Sequence, residues 1–361
     1  MNFSGNPAEH YHHYNVIPDW DNSTYRELSN TGVYSSIMAC GTWRLLGSQS
    51  NNFESQEIFE ELLLNGTNHF DCGNNYGRPP GSAEKSLGDL IKKYTSIRDE
   101  LIIATKAGYE MRPGPNGSGS SYKHLRSELE GSLKRLSLDY VDIFYTHRYD
   151  PRVKIEVVAD SLSRLYDLGY FLYAGISSYP RDQLIDLIKL LRSRNVPIAT
   201  IQYNISMINL DWFKTCQLIY ETYGITTSAF GTLGQGVITE SFLLNSKDKD
   251  SRFNEQGSAL NELSGNSNQF LTAIKTNKSY PENITIEEIG LSWLCSYKFI
   301  NSCIYGPRTK KQIVNNKVIS KMLKGNSYFF EWLNQFIFQY EHVNKLDRWK
   351  TRDPKASFEI I

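Results

Sequence analysis

The stretch "HLRSELEGSLKRLSLDYVDIFYTH", residues 124–147, decides the fold. Leu125, Leu129, Leu133 and Leu136 recur every three or four positions, which lays them along one face of a helix. The run "VDIFYTH" that follows is short and mostly apolar, as a strand buried in a parallel sheet is. The alternation extends in both directions. Further apolar runs are "SIMACG" (36–41), "TNHFD" (67–71), "LIIATK" (101–106), "LYAGIS" (172–177), "IATIQ" (198–202), "ITTSAF" (225–230) and "SCIYG" (302–306). Helical spacing returns between them, as in "EEIGLSWLCSYK" with Ile289, Trp293 and Leu294. Strands alternating with helices mean βαβ units, and eight strand candidates predict an α/β fold of the (β/α)8 TIM-barrel type. A doubly wound sheet is the alternative, but no GxGxxG follows the first strand.

The chain has 361 residues, more than the roughly 250 of a plain barrel. The excess is predicted in an N-terminal arm (1–24), a hairpin around "YRELSNTGVYSS" (25–36), and the Gly/Pro-rich loop "GYEMRPGPNGSGSSY" (108–122). A long excursion (231–283) and a C-terminal tail (346–361) complete it, leaving 25–345 for the barrel. The two long loops are expected over the C-terminal face of the barrel.

Formal net charge is zero, so no global field points to nucleic acid or acidic lipid. No long apolar span or signal peptide is visible, so membrane insertion is not expected. The five cysteines are scattered, odd in number and without a CxxC pair, which argues for reduced thiols and a cytoplasmic setting. His10, His12 and His13 read as part of a surface arm rather than a metal site. Association into a homo-oligomer is left open.

The C-terminal ends of barrel strands carry the chemistry of this fold. Reading those ends gives Asp71 with Tyr76 just beyond, Lys106, His147, Ser177 with Ser178, Gln202, and Phe230. Each alone has an innocent explanation: Asp71 as a helix cap, Lys106 reaching solvent, His147 as a core histidine. Converging on one mouth, Asp71, Tyr76, Lys106 and His147 form a device for moving a proton to or from an oxygen atom. The set has no strong nucleophile and no metal ligands, which suits carbonyl reduction with hydride from a cofactor.

The motifs "FDCGNNYG", "IIATKAG" and "YVDIFYTHR" resemble the active-site motifs of the aldo-keto reductase superfamily. The resemblance runs from about Tyr25 to about Asn316. It is nearest to the branch of L-glyceraldehyde 3-phosphate reductases and potassium-channel β-subunits, through "NNYGRPPGSAE", "ATKAGYEMRPGPNGSG" and "YAGISSYP". It implies that Tyr76 is the general acid, that Lys106 lowers its pKa, that Asp71 pairs with Lys106, and that His147 orients the carbonyl. The implied cofactor is NADPH (NADP+) and the implied partner a small carbonyl substrate.

The same resemblance implies a cofactor site. Gly41, Thr42 and Trp43, with Gln49, match the first-strand turn near the nicotinamide. Ser177, Ser178 and Gln202 match the carboxamide site, with Asp71 beside it, and Phe230 matches the stacking ring. Gly231, Thr232, Leu233, Gln235 and Gly236 match the pyrophosphate loop, and Arg252 a clamping arginine. Gly306, Arg308, Gln312, Asn315 and Asn316 match the adenosine-phosphate segment. Departures from the pattern are Ile205 and Ser206, Thr232 for a proline, Ser241 for a lysine, and Arg308, Thr309 and Asn315 near the adenosine. The basic cluster Arg308, Lys310 and Lys311 suits a 2′-phosphate, against the plainer reading of a solvated helix start. A second class of function remains beside the enzyme: a cofactor-sensing binding subunit that keeps the reductase machinery.

Overall fold

The computed structural model describes Trp20 and residues 24–43, 45–46, 52–244, 260–314 and 316–343. Residues 1–19 and 21–23 of the arm, its histidines among them, and the tail 346–361 therefore lie outside the described residues. The chain opens with β1 (Tyr25–Glu27), β2 (Tyr34–Ser36) and β3 (Met38–Gly41), then α1 (Asn52–Leu64), β4 (His69–Asp71) and α2 (Ser82–Ile91). Next come β5 (Ile102–Ala107), α3 (Tyr122–Leu136), β6 (Val141–Thr146), α4 (Ile155–Asp167), β7 (Phe171–Ser177) and α5 (Arg181–Ser193). They are followed by β8 (Ile198–Asn204), α6 (Phe213–Tyr223), β9 (Thr227–Phe230), α7 (Glu240–Leu243) and α8 (Leu260–Lys275). The chain then forms α9 (Ile286–Cys295), β10 (Ile300–Tyr305), α10 (Asn316–Gly325) and α11 (Ser327–Val343).

Strands β3 to β10 close into a parallel barrel in the order β10-β3-β4-β5-β6-β7-β8-β9. This is the (β/α)8 fold that the alternation predicts. The leucine stripe of α3 is buried at Leu125, Leu129, Leu133 and Leu136. That helix begins where the Ser121 side chain accepts from the His124 backbone N–H, and ends at Ser137 in the left-handed conformation. Helix α9 is fixed by a capping box between Thr285 and Glu288.

The predicted hairpin is present, with Tyr25 opposite Ser36 and Glu27 opposite Tyr34. It seals one end of the barrel. Leu28 at its turn packs with Ile102, Ala104, Ile143, Tyr145 and Ala199, an inner cluster separate from the larger core under the helices. Ser29 Oγ donates to the Ala199 carbonyl at 2.5 Å. The C-terminal strand ends are left to form the opposite, reactive mouth.

One segment is more ordered than the sequence suggests. The excursion 231–283 carries α7 and α8, although "NELSGNSNQF" is poor in helix formers. Phe270, Leu271 and Ile274 of α8 are fully or almost fully buried, so tertiary packing overrides weak local propensity. Among the described residues no helix is long and apolar enough to cross a membrane.

Gly175 of β7 shows how tightly the inner layer is filled. A Cβ at this position would lie 2.3 Å from Tyr145 Cδ1, and Tyr145 is fully buried. Overpacking of this kind costs roughly 1–3 kcal/mol. The expected outcome for Gly175→Ala is a lower urea midpoint at unchanged slope; an unchanged midpoint would contradict this packing.

Candidate active site

Asp71 is the last residue of β4, Lys106 the penultimate residue of β5, and His147 directly follows β6. Parallel register brings them to one rim, because Asp71 pairs with Ala104 and Lys106 with Tyr145. Tyr76 reaches the rim by a turn that the barrel itself pins. The backbone N–H of Cys72 donates to the Ala104 carbonyl at 2.9 Å, and that of Asn74 to the Lys106 carbonyl at 3.0 Å. The Tyr76 N–H closes the turn on Gly73 at 3.0 Å, and the Tyr76 carbonyl accepts from Gly81 and Ala83 at the entry to α2.

Lys106 is fully buried, and its ammonium finds three acceptors: Asp71 Oδ2 at 2.5 Å, the Cys72 carbonyl at 2.6 Å and Tyr76 Oη at 3.3 Å. An ammonium has three N–H donors, so this set saturates it. The Tyr76 and Tyr145 rings lie 4.8 Å and 5.4 Å from the same nitrogen. Asp71 in turn accepts from Gln202 Nε2 at 3.0 Å, and its carbonyl accepts from the Thr42 N–H at 3.0 Å.

Protonation follows from burial. Burial first, and the Asp71 carboxylate second, push the Tyr76 phenol well above its ordinary value near 10. The net direction is upward because burial, which disfavours the phenolate, is the largest cause and the Asp71 charge adds to it; the lowering that the family resemblance implies for Lys106 would act against both. The phenol is therefore a protonated acid at neutral pH. Burial, then the charges of Lys106 and Arg148, hold His147 well below 6.5, so its imidazole is neutral. His147 Nδ1 is buried and has no hydrogen-bond partner among the described residues. Trp43 is 52% exposed with its ring 6.3 Å from that of Tyr76, while Tyr109 meets His147 edge-on at 4.6 Å. A phenol O–H, a neutral imidazole and aromatic walls thus share one site at the mouth, suited to delivering a proton to an oxygen atom.

The residues expected to hold a cofactor are distributed around the same rim. Gly41 ends β3 and Thr42 directly follows it, and Ser177 stands in register with Gln202. Ser178 adopts φ +57°, with its hydroxyl 3.3 Å from that of Ser177. Phe230 ends β9 half-buried. Beyond it Gly231, Gly234, Gln235 and Gly236 all have positive φ, and the turn is braced by the Gly234 N–H on the Gly231 carbonyl at 2.8 Å and the Gly236 N–H on the Leu233 carbonyl at 3.0 Å. Thr232 and Leu233 lie within that turn, where Thr232 Oγ1 donates to the Ile304 carbonyl at 3.3 Å.

The adenosine-phosphate segment is arranged differently from the expectation. Lys310 and Lys311 lie on a short 3₁₀ turn (Lys310–Gln312) between β10 and α10, with Arg308 two residues ahead of it, rather than opening α10. Lys310 pairs with Glu57 at 3.2 Å, and Gln312 accepts from the Arg308 N–H at 2.8 Å. Gly306 follows β10, and Asn316 opens α10 with its amide donating to the Asn65 carbonyl at 2.6 Å. Gln49, Arg252 and Asn315 lie outside the described residues.

Sequence reading missed two buried acids beside the site. Glu84 of α2 accepts from Thr105 Oγ1 and, at 2.6 Å, from Arg135 Nε. Glu128 of α3 accepts from Asn74 Nδ2 at 3.1 Å and from Arg112. The available signal was position: Glu84 lies on the Ala83–Leu87–Ile91 face and Glu128 inside the leucine stripe.

His147 and His69, the latter lowered to about 4, are neutral in the fold because burial disfavours their charged forms. The unfolded chain binds those protons near 6.5. Their contribution to stability is therefore complete above pH 6.5 and is lost as pH falls from there toward 4, by about 1.4 kcal/mol per unit for each group. Urea unfolding of wild type at pH 7.5 and 5.0 is expected to show the loss, and His69→Gln a smaller one. Equal losses in both proteins would contradict the assignment.

A family model described as "Aldo/keto reductase family" matches residues 37–334. The L-glyceraldehyde 3-phosphate reductase of Escherichia coli K12 is 36% identical over 303 residues, covering 81% of this chain and 86% of the relative. A probable voltage-gated potassium channel subunit beta of Oryza sativa subsp. japonica is 28% identical, covering 81% and 89%. Among solved structures, an aldo-keto reductase of Bacillus halodurans in its holo form superposes with TM-score 0.69 at 19% identity, covering 87% and 96% of the two chains.

Proposed function

The chain belongs to the aldo/keto reductase family and is an NAD(P)H-dependent oxidoreductase; from that premise we propose that it uses NADPH to reduce a small aldehyde or ketone to the alcohol. The observation that carries this reading is the Lys106 ammonium bonded at once to Asp71 and to the Tyr76 phenol at the barrel mouth. In this reading the Gly231–Gly236 turn beyond β9 would take the pyrophosphate of the cofactor, and Phe230 with Ser177, Ser178 and Gln202 at the strand ends would hold the nicotinamide. When bound, the nicotinamide would supply the hydride.

The chain's own residues then handle the proton. As hydride reaches the carbonyl carbon, charge develops on the oxygen. An alkoxide is far more basic than a phenolate, so even a phenol raised above 10 transfers its proton downhill. The phenolate left on Tyr76 is stabilised by the Lys106 ammonium, whose place is fixed by Asp71. The neutral imidazole of His147 has one N–H with which to orient the carbonyl oxygen.

A phosphorylated triose or a methylglyoxal-like carbonyl is the proposed substrate class. The Escherichia coli relative is named for such a triose. In this chain the Arg148 guanidinium lies 4.1 Å from the centre of the Tyr109 ring, directly after His147, and places positive charge at the mouth. Preference for NADPH is assigned to Arg308 with Lys310 or Lys311. A 2′-phosphate there gains charge-assisted hydrogen bonds of roughly 1.5–3 kcal/mol each.

The test is oxidation of NADPH and NADH against aldehydes, sugar phosphates and methylglyoxal, in wild type, Tyr76→Phe and Arg308→Ala. Wild type is expected to turn over and to bind NADPH more tightly. Tyr76→Phe is expected to bind NADPH normally and lose about 10²–10⁴-fold in rate. Arg308→Ala is expected to close the gap between the cofactors. More than half of wild-type turnover in Tyr76→Phe would contradict the acid assignment. An unchanged gap in Arg308→Ala would contradict the phosphate site. NADPH binding without turnover of any carbonyl would favour the cofactor-sensing function.

A further inference from the structure

We propose that Glu128 is a positioning residue that locks the Tyr76 segment to the 108–121 loop, so that the loop at the mouth sets the pose of the phenol. This rests on Tyr76 being the proton donor. Glu128 is buried on α3, between Leu125 and Leu129 on the face turned to the barrel. A carboxylate is costly there unless every oxygen is paired, and an apolar residue would pack at less cost. What the acid adds is reach in two directions. Oε2 accepts from Asn74 Nδ2 at 3.1 Å, and Oε1 accepts from Arg112 Nη1.

The two partners belong to different parts of the mouth. Asn74 is fully buried, two residues before Tyr76, with its N–H on the Lys106 carbonyl at 3.0 Å. Arg112 belongs to the loop, its side chain 45% exposed. That loop is internally braced by the Met111 N–H on the Gly117 carbonyl at 3.0 Å and the Gly119 N–H on the Gly108 carbonyl at 3.1 Å. Its Tyr109 rests against His147. A third tie comes from α3 itself: His124 Nδ1 lies 3.2 Å from the Asn116 carbonyl of the loop and 3.9 Å from Glu128 Oε1. Glu128 is thus the shared anchor of the segment that carries the phenol and the loop that flanks the imidazole. A shift of the loop that draws Arg112 away leaves a buried carboxylate unbalanced, and Asn74 is the group on its other side.

The experiment combines hydrogen exchange with kinetics on the full chain, using NADPH and 4-nitrobenzaldehyde. The variants are Glu128→Gln, Arg112→Leu and Arg112→Lys. Arg112 connects to the Tyr76 segment through Glu128, so exchange at the Asn74 and Tyr76 amides is expected to rise several-fold in Arg112→Leu as well as in Glu128→Gln. Turnover is expected to fall about tenfold or more, with NADPH affinity unchanged and a larger isotope effect from 4-deuterated cofactor. Arg112→Lys, which keeps a donor for Glu128, is expected to restore both. A variant that is merely less folded would lose active sites while the remainder kept the wild-type isotope effect. If Glu128→Gln does not fold, Arg112→Leu decides. Unchanged exchange at residues 74–76 in Arg112→Leu, or faster exchange with unchanged turnover, overturns the proposal. Retained turnover in Tyr76→Phe would instead overturn the proton-donor assignment and leave the exchange result standing.

Discussion

Lys106 and Asp71 face each other at 2.5 Å with almost no exposure to water, and the rest of the mouth is arranged around that contact. Removing two charges from water costs several kcal/mol per ion, which mutual attraction recovers only with good geometry and further hydrogen bonds. Both are supplied. Lys106 finds its remaining acceptors in Cys72 and Tyr76, Asp71 is held by Gln202, and two tyrosine rings flank the ammonium. The pair is a weak source of stability and a strong source of order. It fixes the height of the phenol, while burial, with the Asp71 charge adding to it, keeps the phenol protonated.

The fold makes such a pair tolerable. Strand order and parallel register bring the ends of β4, β5 and β6 together, so the charged groups need no loop to hold them. The hairpin closes the far end with Leu28, and the large apolar core lies outside the barrel wall, under the helices. Stability is thereby separated from chemistry. The outer layer supplies burial, and the inner rim carries buried charges, orphaned polar atoms and left-handed residues.

The barrel was legible because its signals are local. Apolar runs and leucine stripes have periods that a single sequence shows, and strand-end residues follow once the fold is assumed. Helix α8 was not legible, since its polar sequence becomes helical through Phe270, Leu271 and Ile274 packing on distant parts of the chain. Nor was the direction of the Tyr76 shift, which follows first from the burial of the phenol and then from the Asp71 charge beside it. Arg308, Lys310 and Lys311 read as a helix start, whereas Lys310 and Lys311 lie on a separate 3₁₀ turn ahead of α10, with Arg308 before it and Lys310 paired with Glu57, far away in sequence. Glu128 shows the limit most clearly. Its place in a leucine stripe marks it as unusual, but that it serves Asn74 and Arg112 together follows only from tertiary geometry.

The most direct test of this account is a double-mutant cycle on the buried pair, with urea unfolding and carbonyl reduction measured for Lys106→Met, Asp71→Leu and the double variant. A lone buried charge should cost about 3–5 kcal/mol in each single variant. The double variant is expected to recover most of that stability while reduction stays lost in all three. A double variant as unstable as the sum of the two singles, or one that still reduces the carbonyl, would contradict the claim that the pair serves the chemistry of Tyr76 rather than the fold.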